Sequence, residues 1–335
     1  MNRISPRPSL PAAANVLIQE AVAILKRGGL VAFPTETVYG LGADASNPVA
    51  VARLYKVKGR PADHPVIVHL GDVRQLAHWA RDIPESATQF AARFWPGPLT
   101  LVLKRAAGVG DYLTGGQDTV GLRVPGHPIA LELLRQFGGD NDERRLIGVA
   151  APSANKFGRI SPTTAEHVRN DLGDEVDLIL DGGPCEIGIE STIVDLSRGR
   201  PVLLRPGRIG AEEIEAALRV ETGPRDRSAP RAPGTLETHY APQRPLRLVA
   251  PKHWDELLAR ASNRRGVLSF RQRPASTTAA MWITLPSDPE RYGHELYASL
   301  RALDASGCEE ILVEAPPESA RWEGVRDRLA RARSA

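Results

Sequence analysis

Cysteine is scarce in this chain: Cys185 and Cys308 stand among 335 residues, with no CxxC pair. That argues against a disulfide framework or a paired-cysteine zinc site and fits a reducing cytosol. HxH and HExxH spacings are also missing, and His64, His69, His127 and His239 are dispersed, so no dedicated metal site is read. The phosphate-cradling pattern G-x-x-x-x-G-K-[ST] does not occur, so any nucleotide must be held without a P-loop. No apolar run approaches the ~20 residues of a membrane helix. The opening stretch, MNRISPRPSLPAAANV, has no apolar signal-peptide core. Excess charge is small, a net +3, which permits a polyanionic ligand without demanding nucleic acid. Aromatic residues make up 5%, and none falls within the basic stretch KVKGRP. RNA binders interleave aromatics with cations, so an RNA-binding module without catalysis is the weaker of two readings.

What is there is an ordinary globular mixture, 42% hydrophobic and 25% charged. The length exceeds the roughly 250–300 residues at which single cores stop growing, so two domains are expected. Residues 15–27 carry apolar positions at helical spacing and stop at Gly28-Gly29. Residues 30–33 predict a short buried strand, Pro48 to Val57 a helix, and 66–70 a strand. Helices over 84–94, 127–137, 163–172 and 211–218 mix with strands over 99–104, 119–125, 146–155, 177–183, 191–197 and 201–207. Without strict alternation, this predicts an α/β fold with a twisted, open, mixed sheet over residues 15–220. Residues 221–242, rich in Pro, Gly and Arg at their start, form a linker. Residues 243–335 repeat the strand–helix pattern on a smaller scale.

The chemistry concentrates in a few stretches. VAFPTETVYGLG (31–42) leaves a buried strand through Pro34 and three polar residues, then loses bulk at Gly40 and Gly42. This lets Thr35 to Thr37 face a cavity while the glycines bring the chain close beneath it. GLGADA formally fits a dinucleotide fingerprint, but the polar PTET between strand and glycines is wrong for one. KVKGRP sets Lys56, Lys58 and Arg60 on alternate positions, one face of an extended segment. Such a face is either a solvated loop or an anion site, and Gly59 and Pro61 stiffen Arg60 toward the second. VAAPSANKFGRISPT (149–163) offers Ser153 and Asn155 as donors and Ser161 at a helix start. IESTIVD (189–195) and PVLLRPG (201–207) end strands with Ser191 and Arg205, a polar floor at one sheet edge. His239-Tyr240 stands out within the linker, and Cys185 reads as packing.

In order along the chain, FPTETVYGLG, KGRPADHPVIVHL, FWPGPLTLVL, TVGLRVPGHP, APSANKFGRISPT, DGGPCEIGIESTIVDL and VLLRPG resemble the YrdC-type domain of threonylcarbamoyl-AMP synthases. APGTLETHYAP, LYASLRALDASG and VRDRLARA resemble the two-domain form of that family. The resemblance implies a YrdC-type sheet followed by a smaller Rossmann-like α/β domain. It implies a cytoplasmic nucleotidyltransferase that turns L-threonine, bicarbonate and ATP, with Mg²⁺, into threonylcarbamoyl-adenylate and pyrophosphate. The carbamoyl group then goes to tRNA beside the anticodon through a downstream transferase complex.

By position, the resemblance makes Thr35, His69, Arg123, Ala151 and Ser191 threonine contacts. It makes Lys58, Arg60, Thr119, Ser153, Ser161, Arg205 and Tyr240 nucleotide contacts, with Lys58 and Arg60 neutralising charge in catalysis. Lys56 is a support for Lys58, and Phe157 departs from the small polar residue the family pattern carries before the glycine. A hydrogenase-maturation carbamoyl transferase shares this domain but also carries zinc-finger-like cysteines, which are missing here.

Overall fold

The computed structural model describes residues 10–138, 147–218, 222–223, 226, 228–235, 239–259 and 264–333. Within the expected linker, residues 221, 224–225, 227 and 236–238 lie outside the described residues, as does most of the opening stretch.

The first sheet has nine strands. They are β1 (Val31–Phe33), β2 (Gly40–Asp44), β3 (Ile67–His69), β4 (Leu99–Lys104), β5 (Thr119–Arg123), β6 (Val149–Ala150), β7 (Leu178–Ile179), β8 (Thr192–Asp195) and β9 (Val202–Arg205). Their order is β7-β1-β2-β6-β3-β5-β4-β8-β9. β3 runs parallel to β5 and β4 to β8, whereas β4 and β5 are antiparallel. The sheet is therefore mixed, as the sequence predicts. A second sheet holds β10 (Leu246–Val249), β11 (Arg265–Ser269), β12 (Met281–Thr284) and β13 (Glu310–Glu314) in the order β10-β13-β11-β12. All its neighbours are parallel, as strand–helix–strand connections require. Among the described residues, no helix is long and apolar enough to cross a membrane.

The helices form where caps and periodicity agree. In Ala12–Lys26, Ile18, Ala21, Val22 and Leu25 are buried at helical spacing. With Phe33 and Leu133 they form the core on one side of the first sheet. Helix Pro48–Lys58 is capped by Asn47, whose side chain accepts from Val49 and Ala50 amides, and ends on left-handed Gly59. This helix carries Lys56 and Lys58, so KVKGRP is a helix end and not an extended face. Lys56 is exposed and Lys58 buried.

Part of the first sheet has no helix over it. Ile67, Val102, Ile193, Val202 and Leu204 form an apolar patch covered by Ala229 and Ala232 of the linker. A strap of chain thus takes the place of a helical layer.

Residues 40–44 form a strand and not a turn. The missing bulk at Gly42 has a packing cause: a Cβ there would lie 2.8 Å from Phe33 Cε1 and 2.9 Å from Val149 Cγ1. The Phe33 ring fills that space and meets His69 edge-on, with ring centroids 6.2 Å apart. Gly42→Ala is expected to destabilise the protein by ~1–3 kcal/mol through overpacking. Calorimetry should register this as a melting temperature lowered by a few degrees, and an unchanged transition would show slack around Phe33.

Candidate active site

Strand register brings the polar side chains together. His69 pairs with Arg123 across β3 and β5, and Ile67 pairs with Gly121. Because side chains alternate along a strand, Ile67 and His69 share a face with Thr119 and Arg123. Ser191, just before β8, and Arg205, at the end of β9, reach the same hollow. It encloses about 50 Å³ and is lined also by Thr35, Thr37, Arg60, Ala151, Ser153, Glu190, Pro233, Gly234, His239 and Tyr240.

Arg123, in the wall of the hollow, is buried. Its Nε donates to Gly97 O at 3.2 Å, and its Nη2 donates to Glu36 Oε1 at 2.7 Å and Thr37 Oγ1 at 3.0 Å. Nη1 has no protein partner among the described residues. A guanidinium fixed by two of its nitrogens with the third free suits an incoming carboxylate. Thr35 shapes the loop: its hydroxyl donates to Val38 O at 2.6 Å and accepts from the Thr37 and Val38 amides at 3.2 Å. Burial, then Arg123, pushes the His69 imidazole down to about 3, so it is neutral near pH 7. Its Nδ1 is buried without a partner.

Arg60 also lines the hollow. Its Nη2 donates to Pro65 O at 2.6 Å, while its Nε is buried and unpartnered among the described residues. The guanidinium lies 5.7 Å from the Phe157 ring centroid. Phe157 also meets His64 and His239 edge-on, at centroid separations of 5.3 and 5.7 Å. The bulky residue that departs from the family pattern is therefore a packing hub. Arg205 lines the hollow with its donors engaged: Nε and Nη2 donate to Ser191 O, and Nη1 donates to Pro233 O at 2.9 Å. It clasps the strap onto β8. The strap is held again where Ala241 N donates to Gly158 O at 2.9 Å. Tyr240 adopts φ 63°, a left-handed conformation rare for a bulky side chain.

Three expected residues do not line this hollow. Lys58 Nζ donates to Ser153 O at 2.5 Å and Asn155 O at 2.6 Å, so it braces the loop from behind. Burial, then Arg60, lowers its pKa well below the usual lysine value. Thr119 lies in an adjoining recess with Gln117, Arg231 and Pro233. The Ser161 hydroxyl donates to Glu190 Oε1 at 2.5 Å. Cys185 is buried, and that burial pushes its thiol up to about 12, so it packs and does not react.

Sequence reasoning gave roles to the hydroxyls of TET and EST and none to their carboxylates. Yet Glu36 holds Arg123, and Glu190 is the acid inside the hollow. A glutamate at the mouth of a buried strand was the available signal, since a buried carboxylate demands a cation. Burial alone would raise the Glu190 carboxyl; Arg328 and then Arg205 outweigh it and hold it below the usual range.

A larger hollow, about 590 Å³, lies between the two sheets, but it faces six glutamates, Glu36 and Glu186 among them, against two arginines. That charge suits no polyphosphate, whereas the smaller hollow is basic. Among the described residues, no group of three or more His, Cys, Asp and Glu side chains could hold a metal ion.

A basic, strap-covered hollow on a mixed α/β sheet, lined by Arg60, Arg123 and Arg205 against the carboxylate of Glu190, defines an anion-binding site of an α/β protein. Residues 23–207 match a family model described as "Telomere recombination", and 209–334 match "Threonylcarbamoyl-AMP synthase, C-terminal domain". The threonylcarbamoyl-AMP synthases of Pyrococcus abyssi and Bacillus subtilis are each 40% identical to it over 94% of its length and 93% and 92% of theirs. A crystal structure of the P. abyssi protein complexed with L-threonine superposes with a TM-score of 0.84 at 39% identity, covering 94% of this chain and 93% of that one. The chain belongs to the threonylcarbamoyl-AMP synthase family.

His69 charges in the unfolded chain near its ordinary value but in the folded protein only near 3. Its depressed pKa therefore costs stability as pH falls below about 6.5, with the full loss reached near 3. His69→Gln is expected to flatten the decline in unfolding free energy between pH 6.5 and 4 measured in urea. An unchanged slope would show that His69 is not the group responsible.

Proposed function

We propose that this chain condenses L-threonine, bicarbonate and ATP into threonylcarbamoyl-AMP and pyrophosphate, for transfer to tRNA by a downstream complex. The observation that supports it best is the set of three buried arginines, Arg60, Arg123 and Arg205, around one small hollow, with Nε of Arg60 and Nη1 of Arg123 left without partners among the described residues. The threonine carboxylate sits on Arg123, with Thr35, Ala151, Ser191 and neutral His69 around the amino acid. The triphosphate lies toward Arg60, Ser153, Arg205 and Tyr240.

The threonine amine adds to the bicarbonate carbon, and water leaves. A carbamate oxygen then attacks the α-phosphorus of ATP, and pyrophosphate departs. Two anions must meet, and the buried cations lower the repulsion between them in a low-dielectric site. Catalysis is positioning plus charge stabilisation. Lys58 acts from behind, by fixing the backbone of Ser153 and Asn155. Mg²⁺ enters as the partner of the ATP phosphates: the one carboxylate in the hollow, Glu190, is already bonded to Ser161, Tyr297 and Arg328.

The strap covers a hollow of about 50 Å³ and shields the carbamate from water.

Mass spectrometry of a short reaction with protein, ATP, Mg²⁺, bicarbonate and L-threonine, with L-serine in a parallel tube, tests the proposal. A threonine- and bicarbonate-dependent adenylate with pyrophosphate is expected. No adduct from folded protein that binds ATP would overturn it and bring the RNA-binding reading forward. Arg60→Ala is expected to lower adenylate formation by ~10²-fold or more, on the scale of lost charge stabilisation. Near-normal turnover with an unaltered melting curve would remove Arg60 from the mechanism.

A further inference from the structure

Thr100 is fully buried on β4 and has no place in the wall of the basic hollow, yet it bonds to a residue that has. It pairs with Ile193 of β8, and Ser191 stands two residues before Ile193. Alternation along a strand puts Thr100 and Ser191 on one face of the sheet. Their hydroxyl oxygens are 2.8 Å apart. Ser191 Oγ also accepts from Arg205 Nη2 at 3.1 Å.

Counting protons gives this pair a direction. A hydroxyl carries one proton and two lone pairs, and a guanidinium can only donate. Arg205 therefore takes one lone pair of Ser191. Among the described residues, Ser191 is the one hydrogen-bond partner of the Thr100 hydroxyl. Were Ser191 the donor, the Thr100 proton would be left buried without an acceptor, at the full desolvation cost of an unmade bond. The adjoining recess offers no relief, because Thr100 meets Gly121 there through its methyl group: a Cβ on Gly121 would lie 3.6 Å from Thr100 Cγ2. With Thr100 as donor, its proton is satisfied and both lone pairs of Ser191 are filled. The proton left over is that of Ser191, and Ser191 lines the hollow, where a substrate oxygen can take it.

We propose, on the reading of the hollow given above, that Thr100 is a positioning residue for the reaction: it donates to Ser191 and so makes the Ser191 hydroxyl an obligate donor toward a carboxylate or carbamate oxygen of the substrate. A donating ammonium finds no acceptor at that point. The amino acid is thereby oriented with an oxygen toward Ser191 and its nitrogen elsewhere, and orientation is the larger part of what this site supplies.

The test is a double-mutant cycle on kcat/KM for threonine, at saturating ATP and bicarbonate. T100V replaces the hydroxyl by a methyl of similar size, and T100S keeps the hydroxyl and drops the methyl. T100V is expected to lower kcat/KM by about ten-fold, and T100S by less than about three-fold. The readout that a merely structural role would not move is the S191A background. There the hydroxyl that Thr100 orients is gone, so adding T100V should cost less than about two-fold further.

Equal losses from T100V in the parent chain and in S191A would overturn the proposal, since packing around Thr100 would then be the cause. So would an unaltered kcat/KM in T100V. A loss in T100S as large as in T100V would assign the effect to the methyl group and overturn it too. Should T100V not fold, T100A takes its place in the cycle, and the same comparison with S191A decides. If the parent chain makes no adenylate, the proposed function fails and this role with it, whereas an active parent with an additive cycle fails this role alone.

Discussion

Buried positive charge is the constraint on which this molecule is organised. Lys58, Arg60, Arg123, Arg205 and Arg328 are all nearly inaccessible to solvent, and the carboxylates paired with them are Glu36 on Arg123 and Glu190 and Asp327 on Arg328. Leaving a cation uncompensated in such a place costs several kcal/mol. The chain meets most of that cost with peptide oxygens: Ser153 and Asn155 for Lys58, Pro65 for Arg60, Gly97 for Arg123, Ser191 and Pro233 for Arg205, Pro206 for Arg328. Carbonyl dipoles satisfy hydrogen bonds without cancelling charge. The hollow is thus satisfied locally and still electropositive as a whole, a condition that favours polyanions over neutral ligands.

The two halves of the chain meet through this charge. Arg301 of the second half pairs with Asp171 at 2.5 Å and donates to the carbonyls of Ile160 and Ser161. Gly188 packs against the backbone of Gly293 and His294, where a Cβ would lie 2.5 Å from either carbonyl oxygen. Such close backbone contact joins the two sheets more tightly than a flexible tether would. The strap is held between them, bonded to Gly158 on one side and Arg331 on the other.

The sequence carried much of this in its periodicity and in the order of its motifs. The mixed sheet followed from strands and helices that do not alternate strictly, and the first helix from its apolar spacing and its glycine stop. Two local readings went astray for identifiable reasons. KVKGRP looked extended because alternation of charge also fits a helix end, and Asn47's cap fixes the helix frame from ten residues away. The glycines of GLGAD were read as bringing the chain close beneath a cavity, whereas at Gly42 the missing bulk makes room for a ring on the neighbouring strand. Ser191 and Arg205 were legible from their places at strand ends and Arg60 from its glycine and proline flanks, whereas His69 and Arg123 came only from the family resemblance. The rest depended on contacts distant in sequence, such as Glu190 with Arg328, and no local pattern encodes them.

The strap that stands in for a helical layer has a thermal consequence. Its contact with the sheet buries an apolar patch made by Ile67, Val102, Ile193, Val202 and Leu204. Apolar hydration raises the heat capacity, and its drive for burial weakens on cooling. The free energy of this packing must therefore be curved in temperature and not governed by a single fixed enthalpy. In the cold, where that apolar contact weakens, the clasp of Arg205 on Pro233 and the bonds of the strap to Gly158 and Arg331 carry a larger share of its attachment.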